Sequence, residues 1–405
     1  MPRPLDVAGV EAARGRLRGA IYQTPCPLSP RLSELTGTQC YIKLENLQMT
    51  GSFKERGAAN LLRQLDETER CRGVVAASAG NHGLAVAFHA ARLGIPATIV
   101  MPTYAPLVKA TSARRYGAEV VLHGDNYDEA YERARAVQDE RGAVFVHPFD
   151  DARVIAGQGT LGFELLDQVE ALDAVVVPVG GDGLIAGVAL VLKASRPGLQ
   201  VIGVQAATPA MHRALQVGER VRVPAGATIA DGIAVRQVGE TAFALAAELV
   251  DDIVLVDEEE LANAVLVLLE TEKTVAEGAG AAPLAALLNR PLGLADRRVA
   301  LVLSGGNIDV TMLARIIERG LVKDGRLVRL AVVLQDRPGA LARLTGLIAA
   351  ERVNILQIQH DRAFSPQAIG GSEVELTLET SGRTQIERLK QRLADAGYSV
   401  DERGS

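Results

Sequence analysis

AVVVPVGGDGLIAGVALVL, residues 174–192, runs from a Val-rich apolar stretch through a glycine turn into an apolar stretch of helix length. Such a continuous apolar run suits a strand buried on both faces, and a short turn leading straight into a helix sets the next strand parallel. The alternation repeats along most of the chain. Runs at 40–44, 73–77, 97–101, 119–123, 144–147, 201–206, 252–256 and 299–305 read as strands, with amphipathic stretches such as 107–117 and 127–140 between them. The fold class is therefore α/β, with enough strands for two packed sheets rather than one.

The pattern changes after a helical stretch at 309–319. Residues 321–327, LVKDGRL, read as a short polar connector. Beyond them lie a strand at 328–334, a turn, a helix at 340–351, a strand at 355–361, a loop at 363–371, a strand at 372–380, a helix at 383–397 and a last strand at 398–400. This βαββαβ order, in about 75 residues, predicts a separate antiparallel unit with both helices on one face.

Composition narrows the function classes. The chain has 405 residues and a formal charge of −6, with 23% charged, 48% hydrophobic and only 3% aromatic side chains, and no tryptophan. A mildly acidic, aromatic-poor chain lacks the positive field and stacking surfaces that nucleic acids need. The longest uncharged apolar run, 183–192, is about half of a membrane span, and the N-terminus has no signal-peptide pattern. Cys26, Cys40 and Cys71 form no CxxC pair, which fits reduced structural thiols and a cytoplasmic location, and argues against zinc.

The chemistry concentrates in ENLQMTGSFKERGAAN, residues 45–60. Lys54 follows Gly51, Ser52 and Phe53 at the expected first turn of a helix, where backbone N–H groups and the positive end of the dipole disfavour protonation. A neutral amine is a nucleophile toward an aldehyde. Spacing alone leaves open an ordinary surface lysine in a helical turn. Elsewhere, SAGNHG at 78–83 follows a strand and opens a helix, so its amides suit a carboxylate or phosphate, with Asn81 readable as a simple N-cap. VPVGGDGL at 177–184 has the form of a phosphate cradle.

GSFKERGA resembles the lysine motif of the fold type II (tryptophan synthase β-like) pyridoxal 5'-phosphate enzymes, in particular the threonine/serine ammonia-lyases. Five further segments resemble the same family in the same order: SAGNHG (78–83), VPVGGDGLIAG (177–187), TIADGIAV (228–235), EGAGA (277–281) and SGGNID (304–309). The C-terminal unit, with its DRPGALA turn at 336–342, resembles an ACT regulatory domain. The resemblance implies a two-lobed catalytic domain over 1–320, its small lobe at about 45–150 inserted in the large one, a linker at 321–327 and an ACT-like domain at 328–405. It implies that Lys54 is the catalytic residue and covalent holder of the cofactor. Phe53, Asn81, Gly180, Gly181, Asp182, Gly183, Leu184 and Ser304 would bind the cofactor too, Asn81 at its ring oxygen and Ser304 at its pyridine nitrogen. Ser78, Ala79, Gly80 and His82 would receive the substrate carboxylate. An amino-acid effector would sit near Asp336, Pro338 and Gly339 across a subunit interface of a homodimer or homotetramer; an oligomerisation module without ligand is the alternative.

Three departures bear on the chemistry. The family loop has four glycines where this chain has Gly180, Gly181, Asp182 and Gly183. A carboxylate ~4 Å from the phosphate would cost about 4 kcal/mol at an effective dielectric of 20, so Asp182 is expected to turn its side chain away. Ala79 stands where racemases of the family carry a second serine, which points to one-sided proton transfer and elimination. Gln205 stands where cation-binding relatives carry a carboxylate, so no metal is expected. Ser304, a neutral hydroxyl, makes the cofactor a weaker electron sink than an Asp would, again favouring elimination. Thr228, Asp231 and Gly232 are readable either as lining the site or as a turn, and His89, His123 and His360 take ordinary structural roles. The reading is PLP-dependent dehydration and deamination of L-threonine, and of L-serine too, with serine or 3-hydroxyaspartate as alternative preferred substrates. From another class, a non-catalytic amino-acid sensor that has lost phosphate binding through Asp182 is the rival. A dinucleotide dehydrogenase fails for want of GxGxxG with a downstream acid.

Overall fold

The computed structural model describes residues 5–105, 107–224, 226–361 and 371–403. The chain forms two compact units, Met1–Ile308 and Asp309–Ser405. Within the first, strands β1 (Gln39–Leu44), β6 (Ala174–Pro178), β7 (Gln200–Gln205), β8 (Asp252–Leu255) and β9 (Arg298–Leu303) form one sheet in the order β1-β9-β6-β7-β8. Strands β2 (Val74–Ala77), β3 (Ala97–Met101), β4 (Glu119–Leu122) and β5 (Val144–Phe145) form another in the order β4-β3-β2-β5. All pairings in both sheets are parallel. The four-stranded sheet is thus inserted between the first and second strands of the larger one.

The apolar runs form strands because both faces are covered. Val175, Val177, Val201, Ala300 and Val302 pack with Ile185, Val188 and Leu192 of the helix Gly183–Ser195 in one core, all at or near zero exposure. Gly159 and Gly187 let the helices Ala152–Gln168 and Gly183–Ser195 approach closely: a Cβ on Gly187 would lie 2.7 Å from the Gly159 nitrogen. Ala76, Ile99 and Met101 centre the core of the smaller sheet.

The second unit holds strands β10 (Leu327–Gln335), β11 (Asn354–Asp361), β12 (Gly371–Glu379) and β13 (Val400–Arg403), antiparallel in the order β11-β12-β10-β13. Alternate residues Val328, Leu330 and Val332 of β10 and Val374, Leu376 and Leu378 of β12 share a core with Leu344 and Ile348 of one helix and Ile386, Leu389 and Leu393 of the other. Both helices therefore cover one face. Two boundaries differ from the sequence reading. Residues 321–323 finish the helix Val310–Lys323, which packs on β10, so 321–327 is a helix end and a tight turn rather than a connector. The last strand begins at Val400, because Gly397 (φ 86°) and the bond from Tyr398 N–H to Leu393 O take the preceding residues into a turn. Of the loop read at 363–371, residues 363–370 lie outside the described residues.

Candidate active site

Lys54 is the first residue of the helix Lys54–Leu62. Gly51 (φ 79°) turns the chain into it, and the preceding segment is stitched to the end of β9: Phe53 N–H donates to Ser304 O at 3.0 Å and Gly306 N–H to Gly51 O at 3.0 Å. The Lys54 amine donates to the Pro148 carbonyl at 2.9 Å and lies 5.1 Å from the Phe53 ring centre. Burial pushes this amine down to about 8, against the opposing pull of the Glu277 charge. The depression arises chiefly from desolvation, with the helix start supplying position.

Beneath this helix lies a buried charge cluster that the sequence did not announce. The Arg56 guanidinium, fully buried, forks onto Glu45 (2.7 and 2.7 Å) and Glu164 (2.6 and 2.9 Å), and Lys43 Nζ donates to Glu164 at 2.6 Å. Two cations and two carboxylates balance. Thr24, Thr160 and Gln168 take up further donor and acceptor positions of the cluster.

The glycine loop after β6 has Gly180, Gly181, Asp182 and Gly183 leading into the helix Gly183–Ser195. Gly181 and Gly183 are glycines because Phe149 lies against them: a Cβ on Gly181 would enter its ring, and one on Gly183 would lie 2.6 Å from its carbonyl oxygen. Asp182 is the helix N-cap in a left-handed conformation (φ 73°) and makes no side-chain cap bond. It does not reach solvent: it is 2% exposed, and both carboxyl oxygens are buried without a hydrogen-bond partner. Burial, aided by the charge of Asp150, raises this carboxyl well above the usual carboxylate range.

Ser78–His82 forms the second loop. Ser78 Oγ accepts from Gly80 N–H at 3.1 Å, and the N-cap of the helix Asn81–Leu93 is Gly80, again with no side-chain cap. The reading of Asn81 as an N-cap is thereby corrected, since its side chain is spent elsewhere: Nδ2 donates to Glu277 Oε1 at 2.7 Å and Oδ1 accepts from Asn307 Nδ2 at 2.8 Å. His82 Nε2 donates to Val146 O at 2.8 Å, and burial pushes the imidazole down to about 3, so the ring is neutral. Glu277 is the group the sequence reading left without a role. Its carboxyl is pushed up to about 7, by burial first and the Asp231 charge second. The sequence signal for it was the segment EGAGA, one of those that resemble the family, headed by an acid to which no role was given.

These residues meet in one cavity of about 690 Å³. It is lined by Phe53, Lys54, Ser78, Ala79, Gly80, Asn81, His82, Gly180, Gly181, Asp182, Gly183, Leu184 and Ser304, and also by Asp231, Gly232, Glu277 and Asn307. Thr228 instead turns its hydroxyl onto Ala230 N–H at 3.0 Å. Two uncapped helix N-termini and a buried amine of lowered basicity thus open on the same space. Uncapped N–H groups at a helix start favour an anion, and a cavity of this size suits a small cofactor with its substrate. The set fits pyridoxal 5'-phosphate: the amine for its aldehyde, one helix start for its phosphate, and the other for a substrate carboxylate.

The remaining sequence-derived residues are not among those that line the cavity. Asp336, Pro338 and Gly339 form an exposed turn between β10 and the helix Ala340–Ala350. Cys26 and Cys40 are buried and pushed up to about 12 by desolvation, Cys71 is exposed, and none of the three lines the cavity. The Gln205 amide donates to Val179 O at 3.3 Å and accepts from His212 N–H at 2.8 Å. Among the described residues no group of three or more His, Cys, Asp or Glu side chains is placed to share a metal, and no helix is long and apolar enough to cross a membrane.

Comparison with known proteins gives two family matches: the pyridoxal-phosphate dependent enzyme model over residues 17–305, and the ACT domain model over 328–398. The L-threonine ammonia-lyase of Thermotoga maritima is 50% identical over 397 residues, covering 98% of this chain and 99% of that protein. Among solved structures, a T.th. threonine deaminase matches with TM-score 0.72 and 42% identity over 75% of this chain and 99% of its own. A maize serine racemase matches with TM-score 0.74 and 32% identity over 79% of this chain and 98% of its own.

Proposed function

Since the chain belongs to the pyridoxal-phosphate dependent enzymes and carries a C-terminal ACT domain, we propose that it is an ammonia-lyase acting on L-threonine. Threonine loses its β-hydroxyl as water, and the resulting enamine, after release, takes up water and loses ammonia to give 2-oxobutanoate. L-Serine, one methyl smaller, would give pyruvate. A methyl difference is worth only ~1–3 kcal/mol of discrimination. The observation that carries the reading is the buried Lys54 amine facing two uncapped helix starts in one cavity.

Bound pyridoxal 5'-phosphate supplies an aldehyde for an amino group and a ring that accepts negative charge from the substrate's α-carbon. Lys54 would hold it, with Gly180, Gly181, Gly183 and Leu184 around the phosphate, Asn81 at the ring oxygen and Ser304 at the ring nitrogen. The chain's own residues then do the rest. The helix start at Gly80–His82 holds the substrate carboxylate by backbone N–H groups, with Ser78 beside it. Lys54, a free amine in appreciable fraction near pH 8, takes the Cα proton. Ala79 has no hydroxyl to return a proton to the opposite face, which supports elimination over racemisation. Glu277 and Asn307 hold the Asn81 amide from both ends, fixing its orientation.

The ACT domain supports amino-acid control. We assign the effector to the turn Asp336–Gly339, in a homo-oligomer. The test is turnover of L-threonine, L-serine and 3-hydroxyaspartate by the purified full chain, with candidate amino acids added. 2-Oxobutanoate and ammonia in equal amounts from L-threonine, with no D-amino acid formed, is the expected result. A D-amino acid as main product, or no turnover of any of the three, would contradict the reading.

A further inference from the structure

Asp182 stands in a loop that otherwise consists of glycine, at the N-cap of a thirteen-residue helix whose N–H groups open on the cavity. Two facts about it are independent of each other. Its backbone is left-handed, a conformation glycine adopts without strain and Asp tolerates. Its two oxygens are buried and accept no hydrogen bond, although the helix start beside them offers uncapped donors. An ionised carboxylate in such a place would be desolvated, unpaired and in competition with the phosphate for one helix dipole. Neither ejection into water nor a standing repulsion of the cofactor fits what is seen.

We propose that Asp182 carries a proton in the holoenzyme, and that its uncharged carboxyl leaves the helix start to the cofactor's phosphate, so that cofactor retention is linked to uptake of one proton. The inference rests on the cofactor assignment above. Asp182 acts through the loop as a positioning residue. Its surroundings support the neutral form. Asp150, the charge that acts on it, already accepts the N–H groups of Glu240 and Thr241 at 2.8 and 2.9 Å. Asp151 is tied to Arg153, and His147 is neutral, accepting Asp150 N–H at 2.8 Å. Lys54, across the cavity, turns its amine to the Pro148 carbonyl. None of these supplies a positive partner to Asp182. By linkage, the phosphate dianion raises the proton affinity of Asp182, and the proton raises the affinity for the cofactor.

The experiment compares the holoenzyme with Asp182→Asn and Asp182→Gly by equilibrium dialysis across about pH 6 to 9. The ³¹P chemical shift of the bound cofactor is followed alongside. Dividing the wild-type cofactor dissociation constant by that of Asp182→Asn cancels the titrations of Lys54 and of the phosphate common to both. That ratio is expected to stay within about threefold of unity at the acid end and to rise with pH, approaching tenfold per pH unit once the carboxyl titrates. The wild-type ³¹P shift should hold steady through that rise and move only where the ratio levels off, as the bound form in turn loses the proton, and the Asp182→Gly to Asp182→Asn ratio should stay flat. A flat wild-type ratio, or Asp182→Gly binding tenfold tighter than wild type already at the acid end, would overturn the proposal. A wild-type chain that takes up no cofactor would instead remove the functional reading on which it rests.

Discussion

Replacing Arg56 with Met removes the centre of the buried charge cluster while keeping most of its volume. The guanidinium makes four bonds of 2.6–2.9 Å to two carboxylates, and Glu45, one of them, has no exposure. In the variant, Glu45 keeps only Thr24 Oγ1 at 2.5 Å and Gln48 Nε2 at 3.2 Å, whereas Glu164 retains Lys43. An uncompensated buried carboxylate costs about 3–5 kcal/mol, a fifth or more of a typical domain's stability of about 5–15 kcal/mol. The pH dependence identifies the cause. In the native chain Arg56 holds Glu45 below the usual carboxylate range, so this stability is present at neutral pH and is lost only as pH falls through that low value. In the variant burial is opposed only by the Lys43 charge and the Thr24 hydroxyl, so the carboxyl should rise, and the penalty is full at alkaline pH and shrinks as Glu45 takes a proton. Urea unfolding at about pH 8 and pH 5.5, followed by far-UV circular dichroism and the near-visible absorbance of the cofactor-loaded protein, measures both. Adding Glu45→Leu should recover much of the loss. A cost below about 1 kcal/mol, or one equal at both pH values, would refute the argument.

Lys54 yields a pH prediction with a definite sign. With its amine at about 8 rather than 10.5, about a quarter is neutral near pH 7.5, against about one part in a thousand for an ordinary lysine. Initial rates should therefore rise with pH through about 8 and level off beyond it, while a profile still rising to pH 10 would disagree. Glu277→Gln removes the negative charge that holds the Lys54 amine up, so the acid limb of that profile should move to lower pH. Movement the other way would show that Glu277 acts differently. Gly181→Ala drives a methyl into the Phe149 ring and should destabilise by about 1–3 kcal/mol and loosen the cofactor, with partial recovery on adding Phe149→Ala. No recovery in a dialysis measurement would mean that the glycine answers to something other than Phe149.

What the sequence made legible follows from local physics. The strands β2, β3, β6, β7 and β9 are visible as apolar runs because burial on both faces removes polar residues, whereas β4 and β8 at the sheet edges are partly exposed, and the glycine loop is visible because Phe149 forbids a Cβ at Gly181. Lys54 at a helix start is a local arrangement and was readable as such. The missed features are long-range. Lys43, Glu45 and Arg56 look like ordinary charges until Glu164 is brought under them from another helix, and Glu277 joins Asn81 across 196 residues of chain. The two readings of Asn81, simple N-cap or site residue, part on the same ground: a side chain with a distant partner does not cap its own helix. Asp182 shows the limit from the other side: its charge led to the expectation of a side chain turned away from the phosphate, whereas the chain buries it without a hydrogen-bond partner, which raises its carboxyl.

The central claim is that Lys54 is the residue that carries the cofactor and moves the substrate's proton. Borohydride reduction of the cofactor-loaded protein, followed by peptide mapping by mass spectrometry, tests it directly. A single pyridoxyl-phosphate adduct is expected on the peptide containing GSFKERGA, at Lys54, with stoichiometric loss of threonine turnover. An adduct on another lysine, or full turnover retained by Lys54→Ala, would contradict it.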